Sequence, residues 1–172
     1  MARIPYADDQ NPEVAELAAQ IRKERGKMHN LYKMLLNSPP IARGWLNLLT
    51  AVRQQANLSG KYRELAILLV AIINGAEYER AGHVPHAKKE GLTDAQIDAL
   101  ADWRKSKAFD DVERSVLAYT EAMTKEVHVS DAVFAAVTKH FDQREMTELT
   151  ATIAAYNLVS RFLEALQIDP EK

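Results

Sequence analysis

The sequence predicts an all-α fold of about eight helices joined by short loops, with a buried helical hairpin at its centre. Apolar residues recur at helical spacing through most of the 172 residues. The 6 Gly and 6 Pro fall at the boundaries of those stretches. No segment has the alternating pattern of a strand that would compete with them.

Asn11-Pro12-Glu13 reads as an N-cap with Pro at the first helical position, opening a helix to about Leu36 that Gly26 weakens or divides. Ser38-Pro39-Pro40 opens a second helix over Ile41–Gln55, with Trp45, Leu48, Leu49 and Val52 on one face and Trp45 in the core. Ser59 caps a third, about Gly60–Asn74, which is apolar nearly all round and therefore buried. Asn74-Gly75 breaks the chain before a fourth, about Ala76–Glu90, ended by Gly91. Thr93 with Gln96 has the spacing of a capping box for a short helix ending near Trp103. Asp110 or Asp111 starts a helix to Lys125, Ser130 caps one to His140, and Arg144–Ile168 forms the last. Arg144-Glu145 before an Ala-rich apolar helix faintly echoes Arg63-Glu64, a hint of internal duplication.

A chain of this length is expected to form one domain, residues 1–172, with a real core. Its 47% apolar and 27% charged residues are those of a soluble globular protein. A net charge of −2 argues against nucleic acid or an anionic membrane as a bulk electrostatic partner. The absence of Cys removes disulfides, thiol catalysis and Cys-type zinc sites, and fits a cytoplasmic location. The opening MARIPYADDQNPE has no apolar segment of a secretory signal, and the uncharged run from Leu65 to Ala76 is too short to span a bilayer.

The chemistry concentrates between Arg63 and Gly91. Glu79 and His83 are four apart, so both project from one helix face within hydrogen-bonding reach. A carboxylate beside an imidazole raises its pKa and selects its tautomer, as proton transfer requires. Glu64 sits at the start of the strongly apolar helix and faces this pair if the Asn74-Gly75 break folds the two helices together. The bland alternative is a solvated Glu-x3-His pair on a helix surface. Glu79, His83 and His86 also share a face, but three ligands on one helix cannot all converge on one ion without help from elsewhere, and Pro85 lies between the histidines, so no metal site is assigned. His86 reads as a helix-surface residue, and His29, His128 and His140 as surface or capping groups. Tyr78 is a candidate hydrogen-bond donor to a ligand, with an interfacial aromatic as its alternative. Asn157 and Arg161, polar in an otherwise apolar last helix, either line a substrate pocket or pair across a subunit interface.

The run RELAILLVAIINGAEYERAGH, with VPHAKKEGLTDAQIDAL after it, resembles the carboxymuconolactone decarboxylase superfamily, which includes alkylhydroperoxidase D. LNSPPIARGWLNLL upstream and YNLVSRFLEAL downstream are similar to longer members. The similarity is strong over about residues 60–100 and weak over the rest. The resemblance implies an alkylhydroperoxidase D-like helical fold and a homo-oligomer (dimer, trimer or hexamer) with sites near subunit contacts. In the peroxidase branch a glutamate precedes a Cys-x-x-Cys motif and a histidine follows four residues after the second Cys. Glu64 stands at that glutamate and His83 at that histidine, while Ala76 and Glu79 occupy the cysteine positions and Tyr78 the intervening histidine. Peroxide reduction of that kind needs a thiolate and a resolving thiol. The decarboxylase branch is a precedent for cofactor-free acid–base chemistry on a small acidic lactone. The expected function is therefore a cofactor-independent lyase, a decarboxylase or isomerase acting on a small carboxylated or lactone substrate through His83, Glu79 and Glu64. The alternatives are a peroxiredoxin-like reductase, as the family label implies, and a non-catalytic oligomeric binding protein in which Glu64–His83 is a structural ion pair.

Overall fold

The structure, a computed structural model, describes residues 1–171. Among them it shows nine α-helices and no strand. The helices are α1 (Ala15–Arg25), α2 (Asn30–Leu35), α3 (Pro39–Thr50), α4 (Gly60–Asn74), α5 (Glu77–Lys89), α6 (Asp94–Ala99), α7 (Asp111–Lys125), α8 (Asp131–Val137) and α9 (Gln143–Leu166). The chain divides into two compact units, one of Met1–Gln55 together with the chain from Phe162 on, the other of Ala56–Arg161.

The first unit holds α1 to α3 and the end of α9. Its expected opening helix is divided: Gly26 adopts φ 80°, a left-handed conformation that a side chain resists, and it ends α1. The helix also starts later than the Asn-Pro signal suggests. Asn11 Oδ1 accepts from the Glu13 amide at 3.0 Å in a local turn, and the first helical residue is Ala15. α3 begins on the two prolines, and Ala51–Gln55 continues it as a π-helical turn. Arg25 locks the unit by donating to the Tyr32 hydroxyl and to Thr50 Oγ1, both at 2.8 Å. Trp45, buried as expected, meets Phe162 with ring centroids 5.1 Å apart.

The second unit is built round α4. Every residue from Glu64 to Ala71 is buried, so the helix is covered on all sides, with α5 and α7 packed against it. Gly75, at φ 67° in the left-handed region, ends α4 where the Asn-Gly break is expected, and α5 follows after Ala76. Two capping boxes set the loops beyond. Thr93 and Gln96 open α6, and Asp110 and Glu113 open α7. Glu113 is buried, and its carboxylate also takes hydrogen bonds from Gln96 Nε2 at 2.8 Å and Lys61 Nζ at 2.6 Å, tying α4, α6 and α7 together. A third box, not expected from the sequence, opens α9: Asp142 Oδ1 accepts from the Glu145 amide and Glu145 Oε2 from the Asp142 amide. Glu145 thus caps a helix while Glu64 lies inside one, so the two Arg-Glu pairs do different work.

Candidate functional site

α4 is apolar because it is the core of its unit, and Glu64 is the exception within it, 2% exposed. A carboxylate so placed requires a partner. The turn at Gly75 supplies one by sending α5 back along α4, which sets His83 beside Glu64 although 19 residues separate them. His83 Nδ1 lies 2.6 Å from Glu64 Oε2, and Nε2 lies 3.0 Å from Glu79 Oε1 on the preceding turn of α5. Both ring nitrogens are therefore held between carboxylates. Glu79 sits in the first turn of α5, where the helix dipole favours a negative charge. The ring of Tyr156 on α9 meets the imidazole edge-on, with centroids 5.0 Å apart and planes at 89°.

The contacts continue beyond the three acid–base residues. Arg63 Nε donates to Glu64 Oε1 at 3.2 Å, and its Nη2 reaches Glu90 Oε1 at 3.3 Å. The result is a line of alternating charge, Glu90–Arg63–Glu64–His83–Glu79, running from a carboxylate 38% exposed to residues at 7% or less. Burial is the largest single influence on His83 and pushes its pKa down. The hydrogen bonds and charges of Glu64 and Glu79 together outweigh it and raise the pKa from 6.5 to about 9. Burial likewise pushes Glu64 up, but the hydrogen bond and charge of His83, followed by Arg63, hold it below the usual carboxylate range. At neutral pH the centre is thus an imidazolium between two carboxyl groups.

Glu64, Glu79 and His83 are brought together, as the sequence anticipates. Asn157 and Arg161 form a separate group. Asn157 donates to Thr124 Oγ1 at 3.1 Å and accepts from Asn74 Nδ2 at 3.1 Å and from Arg161 Nη1 at 2.6 Å. This amide joins the ends of α4 and α7 to α9. Tyr78 is half-buried on α5, and His86 is exposed with its ring 5.6 Å from that of His83. Among the described residues no three His, Asp or Glu side chains are arranged to hold a metal ion, and no helix is long and apolar enough to cross a membrane. Sequence reasoning gave no role to Arg63, Glu90 or Tyr156. Arg63 stands next to Glu64 in the motif itself; nothing in the sequence points from Tyr156 or Glu90 to the imidazole.

Residues 39–122 match the model of the carboxymuconolactone decarboxylase family, and that span includes every member of the charged line. That segment belongs to the carboxymuconolactone decarboxylase and AhpD-like superfamily. The chain is 42% identical over 83 residues to the uncharacterized protein YnjA of Escherichia coli (strain K12), a match covering 48% of this chain and 45% of that one. The chain thus spans less than half the length of that curated relative. A solved protein of unknown function from Agrobacterium tumefaciens, described as a candidate antioxidant defence protein AhpD, superposes with a TM-score of 0.74 at 25% identity. That match covers 79% of this chain and 94% of the other. An uncharacterized peroxidase-related protein from Ralstonia eutropha JMP134, described as an alkylhydroperoxidase AhpD core, superposes with a TM-score of 0.83 over 99% of this chain and 93% of its own. At 18% identity that likeness speaks for the fold alone.

Proposed function

We propose that this chain is a cofactor-independent acid–base lyase of the decarboxylase or isomerase kind, acting on a small carboxylated or lactone substrate. The observation that carries the proposal is the imidazole of His83 held at both nitrogens, 2.6 Å from Glu64 and 3.0 Å from Glu79. Glu64, paired with Arg63, stays ionised and orients the ring. His83 is the proton store. Glu79, at the end of the line, is the group that passes the proton to substrate and takes it back. Glu64 is given no transfer role because Arg63 and His83 enclose its carboxylate.

In a decarboxylation the bond to the departing carboxylate breaks and carbon dioxide leaves. The electron pair passes into the conjugated lactone carbonyl, and the proton that His83 gives up through Glu79 adds to carbon; solvent then reprotonates the imidazole. Positioned proton transfer of this kind contributes about 10²–10⁴-fold to rate. Carboxymuconolactone is the first substrate to try, with carbon dioxide release as the readout. Turnover should fall by about 10² or more in Glu79→Gln, with far-UV circular dichroism unchanged. Full turnover in that variant rejects the assignment.

The burial of Glu64, Glu79 and His83, none above 6% exposed, favours a second reading, a structural ion cluster in a binding protein. A panel of small acids and lactones in which some raise the melting temperature and none reacts would decide for it. The reductase reading has less support, since this chain supplies no thiol.

A further inference from the structure

Gly44, Gly60 and Gly82 lack the left-handed φ of the other glycines, so their backbones would accept any side chain. At Gly44 and Gly82 a Cβ would meet open space. At Gly60, the first residue of α4, it would overlap Cδ and Oε2 of Glu90 and stand 2.8 Å from Oε1. The Glu90 carboxylate is thus laid against the opening turn of α4, in a space that exists because residue 60 has no side chain. The place suits a negative charge. The free N–H groups at a helix start favour anions, and Ser59 makes no side-chain cap there. Glu90 reaches it from the C-cap of α5, just before the chain turns away at Gly91 with φ 94°.

From that position Glu90 Oε1 accepts from Arg63 Nη2 at 3.3 Å, while Nε of the same guanidinium donates to Glu64 Oε1 at 3.2 Å. A planar guanidinium held at two of its nitrogens cannot turn. We infer that Glu90 is a positioning residue for the His83 imidazole, acting through Arg63 on Glu64, and that Gly60 is glycine in order to admit it. The inference rests on the reading of His83 as the proton store. Glu90 does two things in this role. It fixes which edge of the guanidinium faces Glu64, and it takes up part of the Arg63 charge. Without that counter-charge the guanidinium acts wholly on Glu64 and draws its negative charge away from the ring, which Glu64 Oε2 meets at 2.6 Å. His83 then holds its proton less firmly. The other groups that face the ring, Glu79 and His86 from α5 and Tyr156 from α9, are left in place by changes at Gly60 or Glu90.

A pH titration of the His83 ring nitrogens by NMR on the full chain tests this, with the signals identified by their loss in His83→Gln. Glu90→Gln keeps an acceptor for Arg63 but removes the charge. It should lower the midpoint by a few tenths of a pH unit, the size expected of one charge acting over on the order of 10 Å along a partly wet path. Arg63→Gln should raise the midpoint, because the cation that competes for Glu64 is gone. Gly60→Ala changes no charge, and its clash falls on the free end of a flexible side chain, so the fold should survive. By evicting the carboxylate it should lower the midpoint as Glu90→Gln does. In a Glu90→Ala background Gly60→Ala should add nothing. Midpoints that Glu90→Gln and Gly60→Ala leave unmoved in folded protein overturn the inference and make Glu90 a staple between two helices. Shifts of the same sign from Glu90→Gln and Arg63→Gln overturn it too. The measurement needs no substrate: shifts as expected in a chain that turns over no lactone uphold the positioning and reject the lyase, while turnover with unmoved midpoints does the reverse.

Discussion

Raising the pH should remove one defined part of this protein's stability, and His83 should be the group responsible. Its pKa is higher in the folded protein than in the unfolded chain, so folding tightens its hold on the proton. The stabilisation is fully present below the unfolded value of 6.5 and is lost as pH rises through about 9. A rise from 6.5 to about 9 corresponds to on the order of 3 kcal/mol. Midway between the two values the loss should approach about 1.4 kcal/mol per pH unit, one proton's worth. The assay is urea unfolding followed by far-UV circular dichroism at a series of pH values spanning this window, on the natural chain and on His83→Gln. Glutamine keeps hydrogen-bonding capacity but cannot carry the charge. The variant should be less stable at neutral pH by about 3–5 kcal/mol, because Glu64 and Glu79 are left buried without the cation between them. The gap should close as pH rises, since deprotonated His83 no longer offers that charge either. Losses common to both proteins, from Lys and Tyr titration, cancel in the comparison. Curves that stay parallel through the window would refute the reasoning, as would a natural chain that gains stability there.

Leu68 is fully buried in α4, and Leu68→Ala should cost about 2–5 kcal/mol with helical content retained, read as a lower urea midpoint at unchanged slope. Asp110 accepts the Glu113 amide at 2.8 Å as the cap of α7; Asp110→Ala should cost about 1 kcal/mol in the same measurement.

The fold was legible because its signals are local. The apolar circumference of α4, the Asn74-Gly75 break and the Thr93 and Asp110 caps are each written within a few residues, and the structure has them where the pattern puts them. Boundaries were less legible where two local preferences compete. Pro12 suits a first helical turn, yet Asn11 makes a turn of its own with Glu13. Thr138 Oγ1 bonds back to Phe134 O, and α8 stops short of the expected His140. At the candidate site, the four-residue spacing revealed the Glu79–His83 pair, and a carboxylate in an apolar helix revealed Glu64 as a group needing a partner. Arg63–Glu90 and Tyr156–His83 depend on which helices pack together, which no spacing encodes.

The charge arithmetic of the site bears on the difference from the peroxidase branch that the sequence resembles. That branch has a thiol where Glu79 stands. With Glu64 alone, one buried imidazolium faces one buried carboxylate, and burial weighs heavily against both charges. Glu79 adds a second acceptor to the ring, and Arg63 offsets the added negative charge from the far side of Glu64. The line then alternates in sign along its whole length, and each charge has an opposite neighbour within it. Against the effect of its burial, the hydrogen bonds and charges of Glu64 and Glu79 together raise the pKa of His83. Where that branch carries a sulfur, this chain thus carries a carboxylate hydrogen-bonded to a buried imidazole whose pKa is raised to about 9.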